Sequence, residues 1–187
     1  GEGPVVGYKQ LFIRFCGCNL KCNYCDTEFI QGKSYTPQAL AEKIKHDYDL
    51  KTFHSISLTG GEPLLSVEFL KEFLPLIKGE TKIYLETNAT LSDNLEKIKN
   101  YIDIISADIK LESSTGKDTL KIHNDFFEHT KGIETFAKIV FDSTITKEEI
   151  QTCALMGKKH SIELILQPKM IGDKMSVDSD FCNIILD

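Results

Sequence analysis

Gln10-Leu11-Phe12-Ile13-Arg14-Phe15-Cys16-Gly17-Cys18-Asn19-Leu20-Lys21-Cys22-Asn23-Tyr24-Cys25-Asp26-Thr27 joins an alternating apolar run to a loop holding four of the chain's six cysteines. Residues 10–15 have the period of a strand. Cys18, Cys22 and Cys25 follow as C-x3-C-x2-C, a spacing that lets three thiolates of one loop converge on one inorganic centre. A 4Fe-4S cube has four irons, so three thiolates leave one iron open to a substrate or cofactor, as a catalytic zinc keeps one open position. Two blander readings compete. Disulfides fit poorly, because no signal peptide or dense cysteine framework accompanies the cluster. A structural zinc site with Cys16 as fourth ligand would normally use two separated ligand pairs, whereas all four cysteines here lie within residues 16–25.

Around this stretch the composition is that of an ordinary globular protein. The 187 residues, 41% hydrophobic and 27% charged, suit a single domain over 1–187 with a sizeable core. A net charge of -6 argues against a nucleic-acid partner, since phosphate neutralisation needs clustered Lys and Arg. No apolar run reaches the ~18 residues of a membrane span, and no targeting segment is evident at the start. An oxygen-sensitive cluster with reduced cysteines predicts a cytoplasmic protein. Opening on Gly1 without methionine and stopping at Asp187 after an apolar segment, the chain is expected to be truncated at both ends.

Outward from the cysteine loop, strands are expected at 10–15, 55–59, 82–87, 103–110, 136–141 and 162–167. Helices are expected between them. Thr36-Pro37 supplies an N-cap and a first-turn proline ahead of Leu40, Ala41, Ile44 and Tyr48. Leu65 to Lys78 has helical period, with Pro75 expected to kink or shorten its end. Further helices are predicted at 92–100 and 118–130; Thr146-x-x-Glu149 is a capping box opening one to about Lys158, and Asp178 is a cap for a last helix. Alternating strands and helices with short loops predict parallel βα units. Without a glycine-rich dinucleotide fingerprint after the first strand, the α/β fold expected is a partial (βα)6 TIM-like barrel with its active site at the C-terminal strand ends.

Several strands alternate polar and apolar residues: Ser55, Ser57 and Thr59 against Ile56 and Leu58, and Ser106, Asp108 and Lys110 against Ile105, Ala107 and Ile109. Arg14, Glu86, Lys138 and Gln167 stand apart from their apolar neighbours in the same way. With the apolar faces on the helices, these polar groups would line a lumen suited to a ligand; the alternative is an edge strand with a wet face.

With Thr59-Gly60-Gly61-Glu62-Pro63 following the second strand and Tyr24 before the third cysteine, the chain resembles the radical S-adenosylmethionine superfamily. The resemblance implies a 4Fe-4S cluster on Cys18, Cys22 and Cys25 whose open iron is chelated by S-adenosylmethionine. Gly60 and Gly61 would offer backbone groups to the cofactor's amino end, where a side chain would block approach. The closer resemblance is to the 7-carboxy-7-deazaguanine synthase family. It rests on Gly1-Glu2-Gly3-Pro4, Phe12-x-Arg14, Gly17-Cys18-Asn19-Leu20, Cys25-Asp26-Thr27, Glu86-Thr87-Asn88-x-Thr90 and Gln167-Pro168. That family contracts the ring of 6-carboxy-5,6,7,8-tetrahydropterin with loss of ammonia, on the route to queuosine. A 5'-deoxyadenosyl radical takes a hydrogen from the substrate and later returns it.

Carried over to this chain, the resemblance implies cofactor contacts at Tyr24, Cys25, Asp26, Gly60, Gly61, Glu62, Glu86, Asn88, Asp108, Ile109 and Lys110. It implies substrate contacts at Gly1, Glu2, Arg14 and Thr59, and Thr27 as a Mg2+ ligand. The implied partners are the small pterin substrate and an electron donor such as flavodoxin or ferredoxin, with a homodimer as the expected assembly. Two positions depart from the synthase pattern: Asp108-Ile109-Lys110 stands where Ser-Pro-Lys is expected, and Ala89 replaces a glycine. The Asp-hydrophobic-Lys triplet keeps a glycyl-radical activating enzyme as an alternative, and a non-catalytic zinc module is the third reading. Ser114 to Lys117 reads as a loop, Cys153 and Cys182 as core thiols, and His123 and His129 as surface positions. Cys16 is either a packing residue beside the cluster or a fourth thiol close to it.

Overall fold

The computed structural model describes residues 3–22, 25 and 32–186. Six strands, β1 (Gln10–Phe15), β2 (Ser55–Gly60), β3 (Lys82–Thr87), β4 (Ile104–Ile109), β5 (Glu134–Phe141) and β6 (Glu163–Pro168), form one sheet in sequential order, every pair parallel. Between and after them run α1 (Pro37–Asp47), α2 (Val67–Ile77), α3 (Ser92–Ile98), the short α4 (Glu112–Thr115), α5 (Leu120–Glu128), α6 (Lys147–His160) and α7 (Ser179–Leu186).

A strand order that never doubles back has one consequence. Parallel crossovers are right-handed, so stepping always in one direction puts all the connecting helices on one face of the sheet. The packing follows: Ile56, Leu58, Ile83, Leu85, Ile105, Ala107, Ile109, Ala137 and Ile139 share one core with Ile44 of α1, Leu70 and Phe73 of α2, Leu95 of α3, Phe126 of α5 and Met156 of α6. The opposite face curls into a trough, since side chains of both edge strands, Arg14 of β1 and Gln167 of β6, border a single cleft. Within the described residues the barrel is open between β1 and β6.

The helix ends follow local chemistry. Thr36 Oγ1 accepts from the Ala39 amide at 3.2 Å with Pro37 as first helical residue, and Thr146 with Glu149 forms a reciprocal capping box. Asp178 caps α7 through the Phe181 amide at 2.8 Å. α2 ends two residues after Pro75, because a proline in the last turn costs one backbone bond and no more turns follow. Tyr48 leaves the apolar face assigned to it: it is the C-cap of α1, 44% exposed, its ring edge-on to Phe53.

A second, smaller apolar cluster fills the trough at the N-terminal ends of the strands. Tyr84, Ile104 and Phe136 pack there with Ile165, and Val5 from the 3-10 turn Gly3–Val5 closes the floor. Gly3 is required for this entry: its φ is +56°, and a Cβ would sit 2.7 Å from Ile165 Cδ1. After β6 the chain makes a hairpin, β7 (Met170–Ile171) with β8 (Lys174–Met175), turning at Gly172 with φ +59°. No helix among the described residues is long and apolar enough to cross a membrane.

Candidate active site

At the C-terminal strand ends the trough opens into a cleft of about 490 Å3. Its rim is built from loops that bond to one another. Gly60 lies against β1 so closely that a Cβ would stand 2.4 Å from the Phe15 carbonyl oxygen, at φ +113°, so no other residue fits there. That approach lets the Gly61 amide donate to Phe15 O at 2.9 Å and the Glu62 amide to Gly17 O at 2.8 Å, fastening the glycine segment to the root of the cysteine loop.

Glu62 then turns inward, fully buried. Its Oε1 accepts from the Leu64 amide and the Thr87 hydroxyl at 3.0 and 2.9 Å, and its Oε2 from the Asn88 amide at 2.8 Å. Burial pushes its carboxyl up from the ordinary range, opposed by these three donors and by the Lys110 cation. Asn88 passes the linkage on. Its side-chain amide donates to Asn19 Oδ1 at 2.8 Å and lies 3.6 Å from Cys18 Sγ, while Asn19 donates to Thr90 Oγ1 at 2.9 Å. The loops after β1, β2 and β3 are thereby one hydrogen-bonded unit beneath the cysteines.

Cys18, Cys22 and Cys25 all line the cleft, and each is a thiol. Burial pushes the Cys22 thiol up; Lys110 opposes this, and Asp108, Cys18 and Cys25 add to it. Among the described residues no three His, Cys, Asp or Glu side chains are gathered closely enough to hold a metal ion. Three thiolates repel one another until a bound cation offsets their charge. In chemical type the donors fit an iron-sulfur cluster, whose ligands are cysteine sulfurs in a partly shielded wall.

On the far wall, Glu86 accepts from Thr59 Oγ1 at 2.6 Å and from Ser57 Oγ at 3.1 Å. Lys110 Nζ pairs with Asp108 Oδ2, and Lys138 stands in register with Asp108 on the next strand. Asp108 Oδ1 and Ser106 Oγ are buried and have no hydrogen-bond partner among the described residues, as expected of a wall built to meet a polar ligand.

Of the residues singled out from sequence, Arg14, Cys18, Cys22, Cys25, Thr59, Gly60, Gly61, Glu86, Asn88, Asp108 and Lys110 line this cleft. Two do not present their side chains to it. Glu62 braces the loops from below, and Ile109 is packed in the helix-side core because it alternates with Asp108 and Lys110. Gly1, Glu2, Tyr24, Asp26 and Thr27 lie outside the described residues. The cleft also takes Phe12 and Leu20 from the motifs around the first strand, and Val140, Lys169 and Met170, which sequence reading passed over. The Gly172-Asp173 pair after Met170 was the available signal for the hairpin beyond it. Cys153 is a core thiol, pushed up to about 12 by burial, and Cys182 packs beside that core.

His123 departs furthest from expectation. It is fully buried, not on the surface, because α5 turns it under the loops that leave β3 and β4. His129 is partly exposed and pairs with Glu96 at 2.9 Å.

The family model described as "Radical SAM superfamily" matches residues 12–165. A 7-carboxy-7-deazaguanine synthase of Geobacter sulfurreducens is 35% identical, covering 95% of this chain and 81% of that protein. The synthase of Methanothermobacter thermautotrophicus is 34% identical, covering 90% and 77% respectively. The chain belongs to the radical SAM superfamily and, within it, to the 7-carboxy-7-deazaguanine synthase family. Its radical SAM fold is also that of Streptococcus suis SuiB bound to S-adenosylmethionine, with a TM-score of 0.67 at 18% identity over 96% of this chain and 46% of that one. Archaeal TYW1 matches with a TM-score of 0.54 at 16% identity, over 85% and 64%. Membership in the superfamily brings a 4Fe-4S cluster and S-adenosylmethionine as cofactors.

Proposed function

We propose that this chain is a 7-carboxy-7-deazaguanine synthase, converting 6-carboxy-5,6,7,8-tetrahydropterin to 7-carboxy-7-deazaguanine with release of ammonia, and that residues 1–187 act as one radical SAM domain. The observation that carries it is the meeting of the cysteine wall, the Gly60-Gly61 backbone and a charged far wall in one cleft, in a chain that spans most of its synthase relatives.

Cys18, Cys22 and Cys25 would hold the cluster. When bound, the reduced cluster supplies the electron that cleaves S-adenosylmethionine to methionine and a 5'-deoxyadenosyl radical. The protein's part is to place and shield. Gly60 and Gly61 leave the backbone open to the cofactor's amino end. Glu86 spends one lone pair of each oxygen on Ser57 and Thr59, keeping others for hydroxyl donors. Asp108 offers its unpartnered Oδ1 in the same way, while Lys110 holds Oδ2. Arg14 supports the reading as a planar clamp for the substrate carboxylate. Thr27 is assigned to a Mg2+ that keeps substrate oxygens and waters in its shell. The proposal includes an external one-electron donor such as flavodoxin or ferredoxin, a homodimer and a cytoplasmic setting.

Anaerobic reconstitution with iron and sulfide, followed by dithionite and S-adenosylmethionine with and without the carboxypterin, tests this. Pterin-dependent formation of the deazaguanine with cofactor recycling is expected. Cofactor cleavage to 5'-deoxyadenosine without pterin turnover would move the assignment to a glycyl-radical activase, which the Asp108-Ile109-Lys110 triplet favours. Zinc in place of iron, with no cleavage, would reduce the loop to a structural module. Thr27→Ala is expected to weaken Mg2+ dependence more than cofactor binding; the reverse order would remove Thr27 from the metal site.

A further inference from the structure

His123 has every polar atom of its ring engaged. Nδ1 lies 3.1 Å from the Ala89 carbonyl oxygen, and Nε2 lies 3.0 Å from the Lys110 amide nitrogen and 3.1 Å from Thr119 Oγ1. A carbonyl can only accept, so Nδ1 carries the hydrogen and Nε2 accepts from the Lys110 amide. Thr119 Oγ1 donates in turn to Lys110 O, so both peptide groups of Lys110 are fastened to α5 and its N-terminal residue. Burial drives the ring's pKa from 6.5 to about 4, which keeps it neutral and this pattern intact at ordinary pH.

The two segments the ring joins are the ones that face the cysteines. Ala89 is held at φ +53°, a left-handed conformation that costs an alanine strain and persists only where neighbours enforce it. Its amide bonds to Thr87 Oγ1 at 3.1 Å and its carbonyl to His123. The adjacent Asn88 carries the amide beside Cys18. Lys110 sends its ammonium into the cleft that Cys22 also lines. A hydrocarbon side chain would fill the same space under these loops but could not bridge a carbonyl to an amide, which takes a donor and an acceptor on opposite edges, as a neutral imidazole has.

We propose that His123 is a positioning residue: by bridging Ala89 O and the Lys110 amide it sets Asn88 and Lys110 at the cofactor wall. The bond to the Lys110 amide is the one that governs the cofactor, since Lys110 reaches the cleft through its own backbone position. This rests on the reading that Lys110 belongs to that wall.

The test uses His123→Gln, whose Oε1 reaches the Nε2 position and accepts from Lys110. It is set against His123→Asn, which reaches only the Nδ1 position, and His123→Phe, which keeps bulk alone. Two measurements follow. One is the affinity for S-adenosylmethionine, read from the spectral change it induces in the electron paramagnetic resonance of the reduced cluster. The other, in protein without cluster, is hydrogen-exchange protection of the Lys110 amide. His123→Asn and His123→Phe are expected to weaken the affinity on the order of 10-fold and to lose Lys110 protection, with His123→Gln staying within about 3-fold of the parent on both. Folded Asn and Phe variants with parental affinity, spectrum and protection would overturn the proposal, even with lowered melting temperatures. If the phenylalanine variant does not fold, equal values for Gln and Asn overturn it. Lys110→Met locates such a failure: affinity lost there but kept in His123→Asn dismisses His123 alone, whereas affinity kept in both dismisses Lys110 from the wall.

Discussion

The concave face of this sheet is two surfaces end to end. At the N-terminal strand ends Tyr84, Ile104 and Phe136 pack with Val5, and Ile165 lies partly buried against them. A few residues along the same strands, Glu86, Ser106, Asp108, Lys138 and Gln167 border an open cleft. The strand pairs Tyr84 and Glu86, Ile104 and Ser106, and Phe136 and Lys138 each stand two positions apart, so the change from dry to polar happens within one pleat repeat. The dry end packs the sheet against the N-terminal turn, and the polar end carries buried oxygens of Ser106 and Asp108 that have no partner among the described residues. Changes at the polar end should therefore cost chemistry before stability, and changes at the dry end the reverse.

The largest effect belongs to the polar end. Cys22→Ala is expected to abolish cofactor cleavage and lower bound iron while leaving the circular dichroism spectrum and the urea midpoint of the metal-free protein near parental values. Iron content and 5'-deoxyadenosine formation measure it, and surviving cleavage would break the assignment of the wall. At the dry end Phe136→Ala should lose about 3–5 kcal/mol in urea unfolding, the usual cost of emptying a buried aromatic site. Activity well below the new midpoint should survive; a selective loss of activity would show that the floor shapes the cleft directly.

His123 lies behind both surfaces and gives the contrast a pH signature. With its pKa lowered from 6.5 to about 4, the folded protein refuses a proton that the unfolded chain accepts below pH 6.5. Its stabilisation is complete above pH 6.5 and lost as the pH falls towards 4, a total of about 3 kcal/mol at 1.36 kcal/mol per unit. Glu62, pushed up by burial, acts in the opposite sense: its contribution falls as the pH rises above its ordinary 4.5. The measurement is accordingly the difference in urea unfolding between the parent and His123→Gln across pH 4 to 7, which isolates the histidine. A pH-independent difference would reject the neutral buried ring.

Val5→Ala removes two methyl groups from the floor and should cost roughly 1.5 kcal/mol or somewhat more, read from the same unfolding curves. The smallest effect runs the other way. Ala89→Gly relieves the left-handed strain but adds unfolded-state freedom, for a net gain of a few tenths to about 1 kcal/mol. A loss of stability on that change would mean that the alanine methyl, fully buried, contributes more packing than its conformation costs.

Much of this was legible because it is local. β1 and β3 begin and end where the alternation does, and Thr36, Thr146 and Asp178 cap the helices that follow them, because a cap needs only a side chain and the amides two or three residues on. The three cysteines and Gly60-Gly61 stand out through spacing and residue type, and the fold brings them to one cleft. What escaped depends on distant neighbours. That the Glu62 carboxylate would be bonded by Leu64, Thr87 and Asn88 depends on the loop after β3. His123 reads as a surface position, yet the loops after β3 and β4 lie over it.

The chain by itself determined the parallel βα order, the polar and apolar faces of the strands, and the thiol and glycine groups that meet in the cleft. These follow from backbone period, residue size and ligand chemistry, which act over a few residues. Only the tertiary structure decided where the concave face turns from dry to open, and which buried carboxylate braces the loops. It also joined Ala89 to Lys110 through one imidazole, because those outcomes depend on which groups, far apart in sequence, compete for the same few ångströms of space.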